Sequence, residues 1–239
     1  MIKRETCQVY AMPCQHKSVI KRAHLVEKAC SETCQVFPEV YRMPNPIPLT
    51  YGQYYHIYNR GNNREDLFPE ERNCRYFLEL YARHIEPVAE TYAYCLMRNH
   101  FHLLVRIRDE EDLTGFGKPV RSTRSPSQAF SNLFNAYTKA FNKTYGRTGT
   151  LFERPFHRRA VTREGYALQL VVYIHRNPQK HGFVDDFRDW PHTSYAALLS
   201  QHPTRVQREA VLEWFQGAAN FVDAHLNVAD DIEFGDIET

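Results

Sequence analysis

The alternation and clustering of apolar residues along the chain predict four short strands. The segment 53–60, QYYHIYNR, is rich in aromatic and β-branched residues and is followed by GNN, which indicates a strand and a turn. Two further strand-like runs, ETYAYCLM and HFHLLVRI, flank Arg98 and Asn99 and predict a hairpin. A fourth run, FHRRAV at 156–161, also predicts a strand.

Longer segments carry apolar residues at helical spacing. A first helix is predicted to begin at Pro69 within PEERNCRYFLELYARHI. A second is predicted from Ser125 and Pro126 to Gly146, which stands where a helix commonly ends. A third, REGYALQLVVYIHRN, has Thr162 as its candidate cap.

The order strand, helix, strand, strand, helix, strand, helix predicts an α+β fold. It is the ferredoxin-like β-α-β-β-α-β sheet with an added C-terminal helix. RMPNPIPLTYG, with three prolines and a glycine, marks a break before this pattern. The predicted organisation is therefore an extension at 1–42, either disordered or a minor helical appendage, a main domain at 43–200, and a helical appendage with an acidic tail at 201–239. The helix of the appendage is predicted within TRVQREAVLEWF.

Charge is distributed unevenly, although the formal net charge is only +2. Residues 118–160 contain nine lysines and arginines and one acid, Glu153, whereas the chain from Glu209 onwards contains acids and no lysine or arginine. A basic middle indicates a polyanionic partner, unless both segments are ordinary solvated faces. No stretch provides the ~20 apolar residues that a membrane span requires, and the N-terminus lacks a secretory pattern. The six cysteines are then expected to be reduced and the protein cytoplasmic.

Two histidines in the predicted hairpin are candidates for metal binding. Side chains alternate along a strand, so His100 and His102 share the face opposite to Phe101 and Leu103. Such a pair can hold one metal ion and leave open positions for a substrate oxygen. The alternative is two ordinary polar positions on a half-exposed strand.

The end of the third helix adds Tyr173 and Asn177, which lie four residues apart and so on one helical face. Asn177 offers an oxygen ligand, and a phenol beside a metal is a candidate nucleophile. Tyr173 could equally be a partly buried aromatic residue of an amphipathic helix. Pro178 disfavours helical geometry at Asn177, so the helix could end there and displace the amide.

Several motifs occur together and in order: HFH, NAYTKAFNKTYGRTGTLFERPFHRRAV, VVYIHRNPQKHGFV and DWPHTSY. In this combination, from about residue 51 to residue 195, the chain resembles the single-tyrosine HUH transposases. More narrowly, it resembles their REP-associated branch.

The resemblance implies a role for each matching residue. His100 and His102 correspond to the paired metal ligands, Asn177 to an amide-type third ligand, and Tyr173 to the nucleophile. The implied activity is that of a single-stranded DNA endonuclease and strand transferase dependent on Mg²⁺ or Mn²⁺. It would cleave near DNA hairpins through a covalent 5′-phosphotyrosine, and 43–200 would be the catalytic domain.

A DNA groove requires positive charge, and two segments offer it. YNRGNNRE presents Arg60, Asn62 and Arg64 around a turn. LFERPFHRR interleaves Phe152 and Phe156 with three cations, a mixture typical of single-strand binders. These three cations are Arg154, Arg158 and Arg159. A solvated surface with buried aromatic rings is the alternative for both segments.

The implied partner is single-stranded DNA with a REP-like or element-end hairpin, which would associate the protein with the nucleoid, as a monomer or a homodimer. Two other functions stay open. One is a non-catalytic structured-nucleic-acid binding protein derived from a transposase. The other is a metal-dependent hydrolytic phosphodiesterase that uses water as its nucleophile.

Overall fold

The structure, a computed structural model, describes residues 47–111 and 125–227. The predicted extension at 1–42 lies outside the described residues, as does the end of the acidic tail. So does part of the basic stretch, which includes Lys118, Arg121 and Arg124.

Four strands form one antiparallel sheet in the order β2-β3-β1-β4. They are β1 (Tyr54–Arg60), β2 (Ala89–Leu96), β3 (His100–Ile107) and β4 (His157–Val161). The predicted hairpin is the β2–β3 pair. Three long helices are α1 (Glu71–His84), α2 (Pro126–Tyr145) and α3 (Glu164–Lys180). Three short helices follow: α4 (Tyr195–Leu199), α5 (Arg208–Trp214) and α6 (Ala218–Leu226). The mixed fold of sheet and helices is thus confirmed.

The ends of α2 follow from local sequence. The Ser125 hydroxyl accepts a hydrogen bond from the Gln128 amide, and Pro126 occupies the first turn, where its missing N–H costs nothing. Gly146 ends the helix with φ of +61°, a left-handed conformation that glycine adopts without strain. Both ends lie where the sequence predicts them. In contrast, α1 begins at Glu71, because the side chains and amides of Glu70 and Asn73 cap each other reciprocally.

The sheet is covered on both faces. On one face, Ile57, Phe101 and Leu103 join a core cluster with residues of α1 and α2, including Phe77 and Phe130. On the other face, Leu104 joins a second cluster with Leu170 and Ile174 of α3. Because α3 lies across this second face, the face that carries His100 and His102 is not an open surface.

Helix α3 continues past the position where Pro178 was expected to end it. The helix runs to Lys180, and the Asn177 carbonyl accepts a hydrogen bond from the His181 amide. The expected break is wrong because a proline in the last turn removes only its own N–H, whose helical acceptor would be the Ile174 carbonyl. Asn177 therefore keeps helical geometry. The helix start also differs, since Arg163 and not Thr162 is the N-cap.

The three short helices complete the second core cluster, in which α6 contacts α3 and α5 contacts β2. Leu198, Val211, Phe215 and Phe221 belong to the same core cluster as the apolar residues of α3. Helix α5 lies in the segment predicted to be helical, and Gly217 separates it from α6. Within 47–111 and 125–227, no helix combines the length and hydropathy needed to cross a membrane.

Candidate active site

The strand register places the two histidines at the start of β3, opposite residues at the end of β1. His102 lies opposite Tyr58, and His100 lies opposite Arg60. The ring centroids of the two histidines are 5.3 Å apart. Both line a cavity of about 270 Å³ that also includes His157 and His181. The HFH motif thus forms part of the wall of this cavity.

Helix α3 brings the predicted nucleophile to this wall. The ring of Tyr173 meets the ring of His102 edge-on, with centroids 5.5 Å apart, and only 6% of Tyr173 is exposed. The Lys180 ammonium lies 5.5 Å from the centre of the Tyr173 ring. One turn after Tyr173, Asn177 is fully buried, and its Oδ1 has no hydrogen-bond partner within the described part of the chain.

Hydrogen bonds fix the proton position on His100. Its Nδ1 lies 2.7 Å from Oδ1 of Asn99, and an amide oxygen can only accept. His100 therefore carries its proton on Nδ1, and its Nε2 presents a lone pair. His102 differs, because its Nδ1 lies 3.0 Å from Nε2 of His56, and either ring can donate in that bond.

Burial keeps the inner histidines neutral. Desolvation lowers the pKa of His102 well below its usual value, with further contributions from neighbouring cationic groups. Desolvation, and then the positive charge of Arg159, lower the pKa of His56 to about 3. Neutral imidazole is the form that binds a metal ion.

The described residues contain no group of three or more His, Cys, Asp or Glu side chains that could hold a metal ion. A third protein ligand would therefore have to be another type of oxygen donor, such as an amide. The unpartnered Oδ1 of Asn177 suits this role, because a buried acceptor without a partner is costly and a cation would satisfy it. His100 and His102 line the cavity, Asn177 is not among its lining residues, and these three are the candidates to hold a divalent cation.

Sequence reasoning missed four residues around this site. The His56 ring contacts the His102 ring. Tyr58 stacks on His157, with ring centroids 5.0 Å apart. The centroids of the His181 and His100 rings are 4.9 Å apart. The period-two spacing of His56, Tyr58 and Arg60 was a signal that they share one face of β1. That spacing alone could not place this face beside HFH.

The first group of predicted DNA-binding residues lies at the histidine cavity. Arg60 and Arg64 line it, and the Arg60 guanidinium pairs with the Glu153 carboxylate at 2.6 Å. Asn62 lies in the intervening turn, where its amide approaches the Thr150 hydroxyl at 3.5 Å.

The second group is divided between the two faces of the sheet. Arg154 and Arg158 line a separate cavity of about 490 Å³ beneath α2, whereas Arg159 lies opposite His56 on the histidine face. Because successive residues of a strand point to opposite faces, Arg158 and Arg159 cannot form one patch.

The interleaved aromatic residues do not form a stacking surface. Phe152 and Phe156 are buried in the core cluster with α1 and α2, so the expectation that they stack on bases is wrong. Arg158 instead packs over the Phe156 ring, 3.9 Å from its centre, and donates to the Ser127 hydroxyl.

Comparison with known proteins gives the following relationships. No protein-family model matches the chain. A Haemophilus influenzae protein described as a REP-associated tyrosine transposase is 28% identical over 109 residues, which are 44% of this chain and 58% of that protein. The match thus spans little more than half the length of that relative.

A solved structure of a REP-associated tyrosine transposase bound to a REP hairpin shares 19% identity with this chain. The two superpose with a TM-score of 0.47 over 65% of this chain and 85% of the other. The comparison supports the resemblance predicted from the motifs: over 109 residues, the chain is similar to a protein described as a REP-associated tyrosine transposase.

Proposed function

We propose that this protein is a metal-dependent single-stranded DNA endonuclease and strand transferase that cleaves near DNA hairpins. The observation that carries the proposal is the edge contact between Tyr173 of α3 and His102 of β3. It brings a phenol to the histidine pair, and Asn177 follows one turn later on the same helix. The relationship to REP-associated tyrosine transposases supports a DNA substrate.

In the cleavage step, the Tyr173 oxygen attacks the scissile phosphorus and the bond from phosphorus to the 3′-oxygen breaks. The phenol proton is released, and the departing 3′-oxygen takes up a proton to become a hydroxyl. The phosphate stays on Tyr173 as a 5′-phosphodiester. Attack by another 3′-hydroxyl reverses the step and joins two strands, so that no external energy source is needed.

The residues of the cavity divide the remaining tasks. His100, His102 and Asn177 would hold Mg²⁺ or Mn²⁺, and a bound ion would polarise the scissile phosphate. Imidazole ligands favour Mn²⁺ over Mg²⁺ on hardness. The Lys180 ammonium, 5.5 Å from the centre of the Tyr173 ring, places a positive charge beside the nucleophile. Arg60 and Arg64 contact the phosphates of the strand that enters the cavity.

The test is a denaturing gel with labelled single-stranded DNA that carries a hairpin from the flanks of the protein's own gene. Wild type should give an SDS-resistant protein–DNA adduct with Mn²⁺ and none with EDTA. Tyr173→Phe should give no adduct, whereas Tyr76→Phe, which alters an exposed tyrosine of α1 on the opposite side of the sheet, should behave as wild type.

The other outcomes identify the alternative functions. Cleavage without an adduct that persists in Tyr173→Phe would make water the nucleophile and the protein a hydrolase. Metal-independent binding of hairpins without cleavage would make it a nucleic-acid binding protein.

A further inference from the structure

The imidazole rings of His56 and His102 form a hydrogen-bonded pair that is almost entirely buried. His56 is fully buried and 3% of His102 is exposed. The two rings lie nearly edge to edge, with planes 20° apart and centroids 5.1 Å apart, and Nε2 of His56 lies 3.0 Å from Nδ1 of His102. The two residues are 46 positions apart in the chain and meet because β1 pairs with β3.

Two neutral rings can share this bond in only two ways, because one proton lies between the two nitrogens. If His56 donates, His102 carries its own proton on Nε2 and has no lone pair left for a metal ion. If His102 donates from Nδ1, its Nε2 is a free ligand and the proton of His56 lies on Nδ1. The ability of His102 to bind a cation is therefore decided by the proton position on His56.

The surroundings of His56 bias this choice. Its Nδ1 is buried and has no hydrogen-bond partner in the described segments. When His102 donates, this nitrogen is a buried N–H without an acceptor. When His56 donates, it is only a buried acceptor without a donor, and orphaned N–H groups are the rarer case in proteins. Without a metal ion, the pair should therefore favour the arrangement that cannot bind one.

His100 provides the contrast within the same site. Nδ1 of His100 donates to the Asn99 amide oxygen, which can only accept, so this bond places the proton of the neutral His100 ring on Nδ1. His102 has a partner that can either donate or accept. The bond at Nδ1 of His100 thus has a fixed direction, whereas the bond at Nδ1 of His102 has two possible directions.

We propose that His56 is a positioning residue that controls metal binding by His102, donating to it in the metal-free protein and accepting from it in the metal-bound protein. This proposal rests on the metal site of the proposed function. His56 itself touches neither the metal ion nor the DNA.

Three substitutions separate hydrogen bonding from packing. In His56→Gln, the amide can reach the position of Nε2 and present an oxygen that accepts from His102 Nδ1–H. In His56→Asn, the same amide is one methylene too short to reach it. In His56→Leu, the side chain fills much of the space but has no hydrogen-bonding group. Thermal unfolding of each variant establishes that it is folded.

The primary measurement is Mn²⁺ affinity by isothermal titration calorimetry, without DNA. His56→Leu and His56→Asn should bind Mn²⁺ about 10- to 100-fold more weakly than wild type, the usual cost of losing an outer-shell partner. His56→Gln should stay within about threefold of wild type, because its oxygen supports the binding tautomer. Nitrogen-15 NMR of the imidazoles should show the His102 proton moving from Nε2 to Nδ1 when diamagnetic Mg²⁺ is added.

The outcomes distinguish a failure of the proposed role of His56 from a failure of the metal site itself. Equal Mn²⁺ affinity for wild type, His56→Leu and His56→Asn would overturn the role of His56 alone. So would equal weakening in His56→Asn and His56→Gln, since it would show that only the ring shape matters. Absence of Mn²⁺ and Mg²⁺ binding by folded wild type would overturn the metal site itself, and the role of His56 with it.

Discussion

His175 on α3 donates a hydrogen bond from Nδ1 to Nε2 of His225 on α6, 2.8 Å away, in the interior of the protein. The direction of this bond follows from the other nitrogen of His225. Its Nδ1 donates to the Phe221 carbonyl, so its Nε2 carries no proton and accepts from His175. Nε2 of His175 must therefore accept, and the Ser194 hydroxyl donates to it at 2.7 Å. The same hydroxyl oxygen accepts from the Tyr94 amide.

This hydrogen-bonded series has one consistent set of proton positions and joins three elements. Tyr94 belongs to β2, His175 to α3 and His225 to α6. The helix that carries Tyr173 and Asn177 is thus bound to the sheet on one side and to the C-terminal helix on the other. We expect this buried polar series to hold α3 in place across the histidine face.

Replacing Ser194 with alanine should destabilise the fold. The substitution leaves a buried imidazole nitrogen of His175 and the partly buried amide of Tyr94 without these partners, which costs about 1–3 kcal/mol. Chemical denaturation followed by circular dichroism measures the loss. Ser131→Ala is the matched control, since its hydroxyl only donates to a carbonyl one turn earlier in α2. Its effect should be within about 0.5 kcal/mol, and equal losses in the two variants would contradict the assignment.

Stability should fall on mild acidification. Burial lowers the pKa of His225 from 6.5 to about 4 and that of His175 well below 6.5, so the unfolded state binds more protons between these values. The stabilisation is complete above pH 6.5 and is lost as pH falls towards 4, at up to about 1.4 kcal/mol per pH unit for each histidine.

Denaturation midpoints in EDTA, measured above and below pH 6.5, test this dependence. His225→Gln removes one of the titrating groups and should give a shallower slope than wild type. A wild-type free energy of unfolding that stays constant from neutral pH to pH 5 would disprove it.

Gly61 should not tolerate a side chain. A Cβ at this position would lie 1.9 Å from the backbone oxygen of Glu65, so the turn between Arg60 and Arg64 would have to move. We expect Gly61→Ala to cost about 1–3 kcal/mol, as overpacking commonly does, and to weaken DNA binding through the displaced arginine.

Gly165→Ala is the control for this substitution. This glycine lies in the first turn of α3, and a Cβ there would meet nothing within 4 Å in the described structure. Alanine should stabilise the helix by about 0.5–1 kcal/mol, because it has less conformational entropy to lose. Thermal unfolding of both variants should show shifts of opposite sign. Shifts of the same sign would refute the close approach at Gly61.

Arg60→Ala should weaken binding of single-stranded DNA and reduce its salt dependence. The substitution removes a cation from the cavity and leaves the Glu153 carboxylate without its partner at 2.6 Å. Each lost phosphate contact lowers the slope of log affinity against log salt by about 0.7 for single strands. Fluorescence anisotropy at several salt concentrations measures both effects.

Arg75→Ala is the matched control for Arg60, because Arg75 is an exposed residue of α1, the helix that packs on the opposite face of the sheet. The affinity of Arg75→Ala for single-stranded DNA, and its slope of log affinity against log salt, should equal those of wild type. Identical changes in the two variants would indicate a loss of overall charge and not a contact at the cavity.

The sequence by itself determined the features that depend on near neighbours. Ser125 and Gly146 mark the two ends of α2 because capping involves residues within one turn. Strand alternation places His100 and His102 on one face, and helical spacing places Tyr173 and Asn177 on one face. These local periodicities supplied the fold class and the shared faces, whereas the choice of Tyr173 among fifteen tyrosines came from the resemblance of the motifs.

The tertiary structure alone decided how these faces meet. The pairing of β1 with β3 sets His56 against His102, and the packing of α3 sets Tyr173 on the same pair. Burial of Phe152 and Phe156 was likewise decided by the packing of α2 against the sheet. Strand register and the covering of a sheet face arise from contacts between residues far apart in the chain, and the local pattern of apolar residues does not specify them.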